Sequence, residues 1–478
     1  MVTSVPAAAL VVPNTMSYVV AQAVRDLGLP SAQSAGLVRA NGLALPALLL
    51  AVPLAAVLAR RFSASLVLIG GLGVVLGGEF AAQLVGTVHV VGAVPLVGAV
   101  RVVEGLGAGA VLPAALVVAW RHDGPGGRVL AAVWAGALSA SLVVAMPLAL
   151  YGMPAAGGQG GFPGILPLGQ VAGQWRAALQ PYPWLTLIAL AAAALCSLLR
   201  SPAGTPAMRH TERTQLLLPV VPGVGFAFLA VVTTYGWSSG AQLIVAGLGL
   251  AGLLGLAIVG SKDATAGTPL GFAVVMLTAG LLGMPVAAPL AGLISTYLGP
   301  HGVPLLPFGG AAAAALAGAL VASRLSTVAA RTAILTGHGL AVVAVLVLLA
   351  TDTMAGRSAQ QWPVLAPLVL LGAGLGLALA AALRAAGIAS ALFGLTLCFP
   401  AVLCGYLVVG PLQIHKLSAA IAAGGRPADV VYALTAAFRV WLIVAGVITV
   451  LLAGAVAVAG RRRTTTAPDT VGDEAAAG

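Results

Sequence analysis

Four ionisable side chains lie inside otherwise apolar runs of the sequence: Glu79, Arg101, Glu104 and Arg439. A charged group at the centre of a bilayer costs roughly 2.5–3.5 kcal/mol on insertion scales, so such residues are candidates for chemistry. Arg101 and Glu104 are three residues apart, which places them on one face of a helix where they can pair. The pair is typical either of a packing contact or of a carboxyl whose proton affinity responds to its neighbour. The second interpretation predicts proton coupling by Glu104, Arg101 and Glu79.

Small residues follow the charged pair directly. Gly105, Gly107 and Gly109 come immediately after Glu104, and Pro113 lies one turn further on. Small residues let helices approach closely in a bilayer, and proline bends a helix. These four residues are therefore predicted to shape helix packing, either as fixed contacts or as a surface on which one helix slides.

The first apolar segment carries a polar stripe of Asn14, Tyr18 and Gln22, each four residues after the last. This spacing places all three on one helical face. Such a face is natural beside a water-filled cavity, where it would contact substrate together with Arg101 and Glu104. The alternative is that the stripe forms hydrogen bonds between helices.

The elements that must position these residues are membrane helices. Of 478 residues, 60% are hydrophobic and only 7% are charged, whereas soluble proteins carry roughly 25% charged residues. Unpaired backbone groups are not tolerated in lipid, so runs of about 20 apolar residues predict helices. We expect an all-α polytopic membrane protein with fourteen transmembrane helices. The segments are 6–25, 37–58, 64–86, 90–120, 129–151, 182–199, 215–235, 240–260, 269–298, 303–323, 332–351, 362–383, 386–412 and 431–459.

The distribution of basic residues supports this count. With both termini in the cytoplasm, fourteen Lys and Arg residues fall on the inner side and six on the outer side. This bias agrees with the positive-inside rule, so the net charge of +11 indicates membrane topology and not nucleic-acid binding. A multi-pass protein of the plasma (cytoplasmic) membrane is expected. Four arginines are predicted in cytoplasmic gating loops: Arg60, Arg61, Arg324 and Arg331.

The chain also repeats coarsely. "LAAVLARRF" (54–62) and "LAGALVASRL" (316–325) end the second and tenth segments in equivalent places, as in transporters built from internal repeats. The predicted domains are a six-helix bundle over 1–200, two linking helices over 201–265, a second six-helix bundle over 266–460, and a disordered cytoplasmic tail over 461–478.

Four stretches in order resemble the major facilitator superfamily, and among its members the fourteen-helix drug:proton antiporter family. "RVVEGLGAGAVLPAAL" (101–116) resembles the arginine-plus-glycine motif of the fourth helix, and "PLAAVLARRF" (53–62) resembles the loop motif after the second. "WRAALQPYPW" (175–184) and "VPLLPFGGAAAAALAGALVASRL" (303–325) are similar to stretches around the sixth and tenth helices. The resemblance implies two six-helix bundles, alternating access and proton-driven export, with Arg101 linked to proton transfer.

The predicted function is secondary active transport, as proton-coupled efflux of hydrophobic or amphipathic small molecules of the multidrug-resistance type. One alternative is an uncoupled or lipid-handling facilitator of the same fold, and a remote one is a membrane-embedded enzyme. The expected partners are the lipid bilayer, a small-molecule substrate and protons. No cofactor, metal, nucleic acid or obligate protein partner is expected, and nucleotide-driven pumping is disfavoured because the sequence has no Gly-rich phosphate loop with Lys-Ser/Thr.

Overall fold

All secondary-structure elements of the described residues are helices. The computed structural model describes residues 2–11, 31–83, 92–122, 124–151, 181–199, 210–235, 237–261, 269–298, 303–351, 362–422, 424 and 427–465. Alanine, leucine and valine dominate these helices, and serine caps begin two of them. Ser238 and Ser326 each accept a hydrogen bond from a backbone N–H three residues later, at 3.3 Å.

Within the described residues, the helical segments group into fourteen helices that follow one another along the chain. They are α1 (Ser4–Val11), α2 (Ser31–Asn41 and Ala44–Arg61), α3 (Ala64–Gln83), α4 (Ala93–Trp120), α5 (Gly124–Tyr151), α6 (Pro181–Leu198), α7 (His210–Leu217 and Val220–Val232), α8 (Ser239–Gly260), α9 (Pro269–Leu282 and Met284–Leu298), α10 (Leu305–Arg324), α11 (Thr327–Ala350), α12 (Trp362–Ala385), α13 (Ile388–Ala422) and α14 (Pro427–Thr465).

These helices confirm the predicted fold class, an all-α polytopic membrane protein. Within the described residues, twelve helices are long and apolar enough to cross a bilayer, and α6 is a shorter apolar helix. Two boundaries differ from expectation. Leu218 and Pro219 interrupt α7, which begins five residues before the predicted segment. Helix α14 runs to Thr465, so the first residues of the predicted tail continue the helix.

Helix α4 packs between α2 and α3 through its three glycines. A Cβ added to Gly105 would lie 2.2 Å from the Ala44 carbonyl oxygen of α2, and one on Gly109 would lie 2.5 Å from Ala51 Cβ. A Cβ on Gly107 would instead lie 2.7 Å from Val75 of α3. The glycines therefore alternate between two neighbours, and their missing side chains are what allow both helices to approach α4.

The same arrangement recurs in the second part of the chain. Helix α12 carries "GAGLG" over 372–376, and a Cβ on Gly372 or Gly376 would lie 2.0 Å from a carbonyl oxygen of α10. A Cβ on Gly374 would lie 2.6 Å from the Gly337 carbonyl oxygen of α11. Helices α2, α3 and α4 thus correspond to α10, α11 and α12, which is the geometric form of an internal repeat.

The remaining helices surround these two triplets. Helices α1, α5 and α6 contact α4, α3 or each other. In the second group, α9 packs on α12, α14 packs on α11, and α13 packs on α9 and α14. The two groups meet where α5 packs on α10 and α12 and where α2 packs on α13. Helix α7 lies against α2, and α8 lies against α13. The spans of α9 and α13 are 94% buried but those of α7 and α8 only 22%, so α7 and α8 are peripheral and face lipid.

One end of the helices collects most of the described arginines, and we call it the arginine-rich face. Arg60 and Arg61 end α2, Arg324 ends α10, and Arg331 begins α11. The first and last described helices reach the same end. Ser4 of α1 lines a small cavity with His122, which follows α4, and the Arg331 guanidinium donates to the Ala457 carbonyl of α14 at 2.8 Å.

Candidate functional site

Arg101 and Glu104 form a buried ion pair on α4. The Arg101 Nη1 donates to Glu104 Oε2, and the two residues are only 5% and 2% exposed. The three-residue spacing sets this contact, because successive turns of the helix bring both side chains to one face. The pair faces α3, where Gly78 lies directly against Glu104: an added Cβ at Gly78 would lie 2.5 Å from Glu104 Cγ.

Glu79 of α3 completes the cluster. It is 5% exposed, and its charge interacts with those of Glu104 and Arg101. Thr186 of α6 donates its hydroxyl hydrogen to Glu79 Oε1 at 3.0 Å. The other oxygen, Oε2, is buried and has no hydrogen-bond partner among the described residues. An acceptor left unpaired in an apolar interior is costly, which makes Oε2 the natural atom to carry a proton.

Tyr182 lies one turn before Thr186 on α6 and is 4% exposed. It interacts electrostatically with both Glu79 and Arg101. The cluster of Glu79, Arg101, Glu104, Tyr182 and Thr186 is therefore assembled from α3, α4 and α6. We call it the buried charge cluster.

The charges of this cluster do not balance. With both carboxyls ionised and the guanidinium protonated, the three groups carry a net charge of −1 in a region screened from water. One bound proton would bring the sum of these three charges to zero, and an isolated buried charge is strongly disfavoured in an apolar region. The arrangement therefore has the groups needed to bind a single proton.

The equivalent positions in the second triplet are apolar. Arg101 and Glu104 precede Gly105 by four residues and one residue, and Leu368 and Leu371 precede Gly372 by the same intervals. Glu79 follows Gly71 by eight residues, and Val345 follows Gly337 by eight. Leu368, Leu371 and Val345 are all buried. The repeat itself therefore does not require charges here, and the cluster is an addition to one half.

The arginine-rich face contains a second, smaller set of ionic contacts. Arg60 binds Glu212 of α7 through two hydrogen bonds, Nε to Oε1 at 2.6 Å and Nη2 to Oε2 at 3.1 Å. Arg121, which follows α4, has Nε and Nη2 buried without a hydrogen-bond partner in the described part of the chain. Burial and the nearby Arg60 lower the pKa of the Arg121 guanidinium. Arg384 of α12 donates to two carbonyls that end α10, at 2.9 and 2.7 Å.

Of the predicted gating arginines, two have hydrogen-bonding partners in these contacts. Arg60 pairs with Glu212, and Arg331 with the Ala457 carbonyl. Arg61 and Arg324 are exposed. The expected substrate residues Asn14, Tyr18 and Gln22 lie outside the described residues, as do residues 152–180 and the chain after Thr465.

Two further polar residues, His338 and Arg439, lie away from the buried charge cluster. His338 is buried between α11 and α9, with Nε2 3.2 Å from the Thr278 hydroxyl and Nδ1 2.9 Å from the Ile334 carbonyl. This contact ties α9 to α11. Arg439 is exposed on α14. Within the described residues, no group of three or more His, Cys, Asp or Glu side chains could hold a metal ion.

Sequence reasoning missed several partners in the site. Thr186 and Tyr182 lie in "PYPWLTLIAL", where one threonine and one tyrosine in an apolar run give no distinctive signal. Glu212 lies in a short polar segment between the sixth and seventh predicted helices. The correspondence of "GLGAG" (105–109) with "GAGLG" (372–376) is visible in the sequence and would have aligned the two triplets.

No family model matches the chain, and no curated protein matches it. Solved structures do. The chain is similar to the proton:xylose symporter XylE of the major facilitator superfamily, at 12% identity and a TM-score of 0.51, over 95% of this chain and 93% of that one. The chain has the major facilitator fold. A second match comes from a structure on substrate recognition in proton-dependent oligopeptide transporters, at 15% identity and a TM-score of 0.56, over 96% and 99% of the two chains.

A third similar structure is the human organic anion transporter MFSD10 (TETRAN), at 14% identity and a TM-score of 0.51, over 94% of this chain and 98% of that one. Because all three identities are low, the likeness concerns the major facilitator fold and not the substrate. The differences among the cargoes of these proteins make the same point: the fold accommodates unrelated ligands, and function must be argued from the site.

Proposed function

We propose that this protein is a proton-coupled secondary transporter that exports hydrophobic or amphipathic small molecules by alternating access. The observation that carries the proposal is the buried charge cluster, in which two carboxyls and one guanidinium are buried together. Intramembrane ionisable residues typically mark ion or substrate pathways. The similarity to proton-coupled transporters supports this assignment at the level of fold.

Glu79 is the proton carrier in this proposal, and the Arg101–Glu104 pair is its fixed electrostatic neighbour. Glu104 already has a counter-ion, whereas one oxygen of Glu79 has no hydrogen-bond partner in the described residues. Sequence reasoning assigned the role to Glu104, because its spacing from Arg101 is visible in the chain and the neighbourhood of Glu79 is not.

The charge balance favours cationic cargo. When the proton leaves, the cluster returns to a net charge of −1, and a lipophilic cation in the transport path then neutralises it. Proton and cation therefore compete for one negative charge, which is the requirement of one-for-one antiport. An anionic cargo would meet repulsion at the same step.

The proposal includes an orientation and a division into parts. In this proposal the arginine-rich face and both termini lie in the cytoplasm, as the positive-inside rule favours, and the protein belongs to the plasma membrane. Residues 1–200 and 266–460 form the two rocking halves, and 201–265 links them. Arg60, Arg61, Arg324 and Arg331 lie at the cytoplasmic ends of the helices, where the contacts of α2, α10 and α11 change as the halves move.

An uncoupled facilitator of the same fold is the second candidate. The observation in its favour is the tight packing of Glu104 on Gly78, which is also what a purely structural ion pair would show. Under this alternative the cluster only fixes α3 to α4, and transport is independent of its titration.

The test uses the full-length protein in proteoliposomes with an imposed proton gradient. Internal pH and uptake of a lipophilic cation are followed together for the wild type, Glu79→Gln and Glu104→Gln. We expect cation-dependent proton movement in the wild type, and a loss of at least tenfold in both proton movement and cation uptake in Glu79→Gln, because the cluster of this variant has no net charge for either ion to neutralise.

Asp429→Asn is the matched control, because it removes an exposed carboxyl at the start of α14 and should leave coupling unchanged. Cation movement without proton movement in the wild type would replace the proposal with the facilitator. Coupling lost in Glu104→Gln but kept in Glu79→Gln would return the carrier role to Glu104.

A further inference from the structure

A groove of about 680 Å³ opens between α2, α4 and α7 at the end of the helices opposite the arginine-rich face. Most of its lining is apolar or glycine. Leu43 and Pro46 of α2, Val94 and Val102 of α4, and Val231 of α7 are among its walls. The groove lies on the side of α4 that faces α2 and α7, whereas the buried charge cluster faces α3 and α6.

Among the described residues that line the groove, one is a cation, Arg39. Its Nε donates to the Thr234 carbonyl at 3.4 Å, and its guanidinium lies over the Tyr235 ring, 4.3 Å from the centroid. These two contacts orient the guanidinium. Its Nη groups donate to no described residue, and no carboxylate among the described residues forms an ion pair with it. The guanidinium is therefore held in place with hydrogen-bond donors available for an anion.

Arg39 lies at the depth of the lipid headgroups. It is one turn inside the span that begins at Ala35, and Thr234 and Tyr235 end the span of α7. From there the groove extends along α2 from Arg39 to Pro46 and along α4 from Val94 to Val103, which at 1.5 Å per residue is about 10–14 Å into the hydrocarbon. Its polar end is thus at the membrane surface and its apolar length is within the bilayer.

The groove is open to the surrounding membrane. Val38 beside it is 49% exposed, Val103 is 39% exposed and Tyr235 is 61% exposed. In a bilayer these surfaces contact lipid, so a molecule enters the groove sideways from the leaflet and does not need to cross water. Helix α7, which forms one wall, is itself a peripheral helix with a span only 22% buried.

We propose that this groove binds one anionic phospholipid, with its phosphate on Arg39 and one acyl chain between α2, α4 and α7. Arginine presents a planar fork of donors that matches phosphate geometry, and the interaction strengthens as water is excluded. An acyl chain satisfies the apolar walls, which a free phosphate ion does not. The lipid then fills the space between the peripheral α7 and the α2–α4 pair.

The experiment is native mass spectrometry of the full-length protein released from detergent micelles with defined lipids. Retention of phosphatidylglycerol is compared with that of phosphatidylcholine of the same chain length. The variants are Arg39→Gln, Arg39→Lys and Ala99→Phe. Ala99 lines the groove and is exposed, so the phenyl ring occupies the space of the acyl chain without disturbing the contact between α2 and α4. Lys416→Gln is the control, because it removes an exposed positive charge on α13 outside the groove.

We expect the wild type and Lys416→Gln to retain one phosphatidylglycerol in preference to phosphatidylcholine. Arg39→Gln should lose this species about tenfold, the loss expected for one charge-assisted contact, and Arg39→Lys should keep part of it. Ala99→Phe should lose it although Arg39 is intact. Equal retention in Arg39→Gln and Lys416→Gln overturns the proposal, as does unchanged binding in Ala99→Phe.

A competition with glycerophosphate distinguishes the lipid from its headgroup. Glycerophosphate should displace the lipid only weakly, because it lacks the acyl chain. Displacement equal to that by a short-chain phosphatidylglycerol would show a simple phosphate site and would contradict the acyl assignment. No step of this test depends on transport, so its outcome is separate from that of the proposed function.

Discussion

Arg101 and Glu104 show what a single buried ion pair contributes in a bilayer. Desolvation of the two charges offsets most of their attraction, so a buried pair of this kind adds little to the stability of the protein. Removing only one of the two charges leaves the other buried without its partner, which is strongly destabilising. The second triplet has leucine at both equivalent positions and packs through the same glycines. The pair is therefore dispensable for helix packing.

This asymmetry gives a prediction for the pair. Arg101→Leu alone leaves two carboxyls without their cation and should destabilise the protein by about 3–5 kcal/mol, as for a buried charge that loses its partner. Arg101→Leu combined with Glu104→Leu and Glu79→Val reproduces the residues of the second triplet and should melt close to the wild type. Thermal denaturation in one detergent compares the three proteins. A triple variant as unstable as the single one would show that the charged residues are needed for packing.

The arginine-rich face gives a second prediction at this scale. Arg60→Gln removes a partly buried pair with Glu212 that has two hydrogen bonds. It should lower the melting temperature, since hydrogen bonds to charged groups contribute about 1.5–3 kcal/mol.

Arg121→Gln should raise the melting temperature, because Arg121 is repelled by Arg60 and has two unpartnered buried nitrogens among the described residues. A lower melting temperature for Arg121→Gln would mean that an anion or a residue outside the described part pairs with it.

The residues of the site were only partly predictable. The Arg101–Glu104 contact follows from a spacing of three residues. Glu79 can also be picked out from the sequence alone, because a charged residue within an apolar run is unusual. What placed Glu79 beside the pair is the packing of α3 on α4 through Gly71, Gly78 and Gly107, and this depends on the register between two helices. The Thr186 hydrogen bond depends on the docking of α6, which nothing local in its sequence specifies.

At the scale of the element, glycines determine how close the helices lie. Gly105, Gly372 and Gly376 each face a neighbouring backbone at a distance that no side chain fits, and Gly109 faces the Ala51 Cβ. By contrast, Gly73 and Gly77 on α3 have no atom within 4 Å of an added Cβ. The same residue type thus has two roles in adjacent helices. In a bilayer the close contacts replace the hydrophobic effect as the source of association between helices.

Alanine substitution separates these two roles. Gly105→Ala and Gly376→Ala should each lower the melting temperature clearly, because the new methyl group would overlap a carbonyl oxygen of α2 or α10. Gly77→Ala should leave it unchanged or slightly higher, since alanine favours a helix over glycine by about 1 kcal/mol and the site has room. Melting curves of the three variants in one detergent check the contrast. Equal effects at all three positions would mean that glycine acts through backbone flexibility and not through contact.

At the scale of the whole molecule, the arrangement of helices was more predictable than their contacts. Composition and segment length fixed the membrane class, and the charge bias of the loops supported fourteen helices. The paths of α7 and α8 could not be derived from hydropathy, because a lipid-facing helix and a central one are equally apolar. The spans of α9 and α13 are buried and those of α7 and α8 are exposed, yet all four have a mean hydropathy between 2.0 and 2.4.

Alternating access requires the two helix groups to separate where α5 meets α10, and a disulfide lock tests this motion. An added Cβ at Gly136 lies 3.1 Å from Ala319 Cβ, close enough for a disulfide after a small relaxation. In a background without Cys196, Cys398 and Cys404, the pair Gly136→Cys and Ala319→Cys should cross-link under oxidation and abolish transport, and a reductant should restore it. The matched pair Gly71→Cys and Ala110→Cys has the same 3.1 Å separation but joins α3 to α4 within one group. It should cross-link equally and leave transport intact, whereas transport that persists in the locked α5–α10 pair would exclude rocking of the halves about this contact.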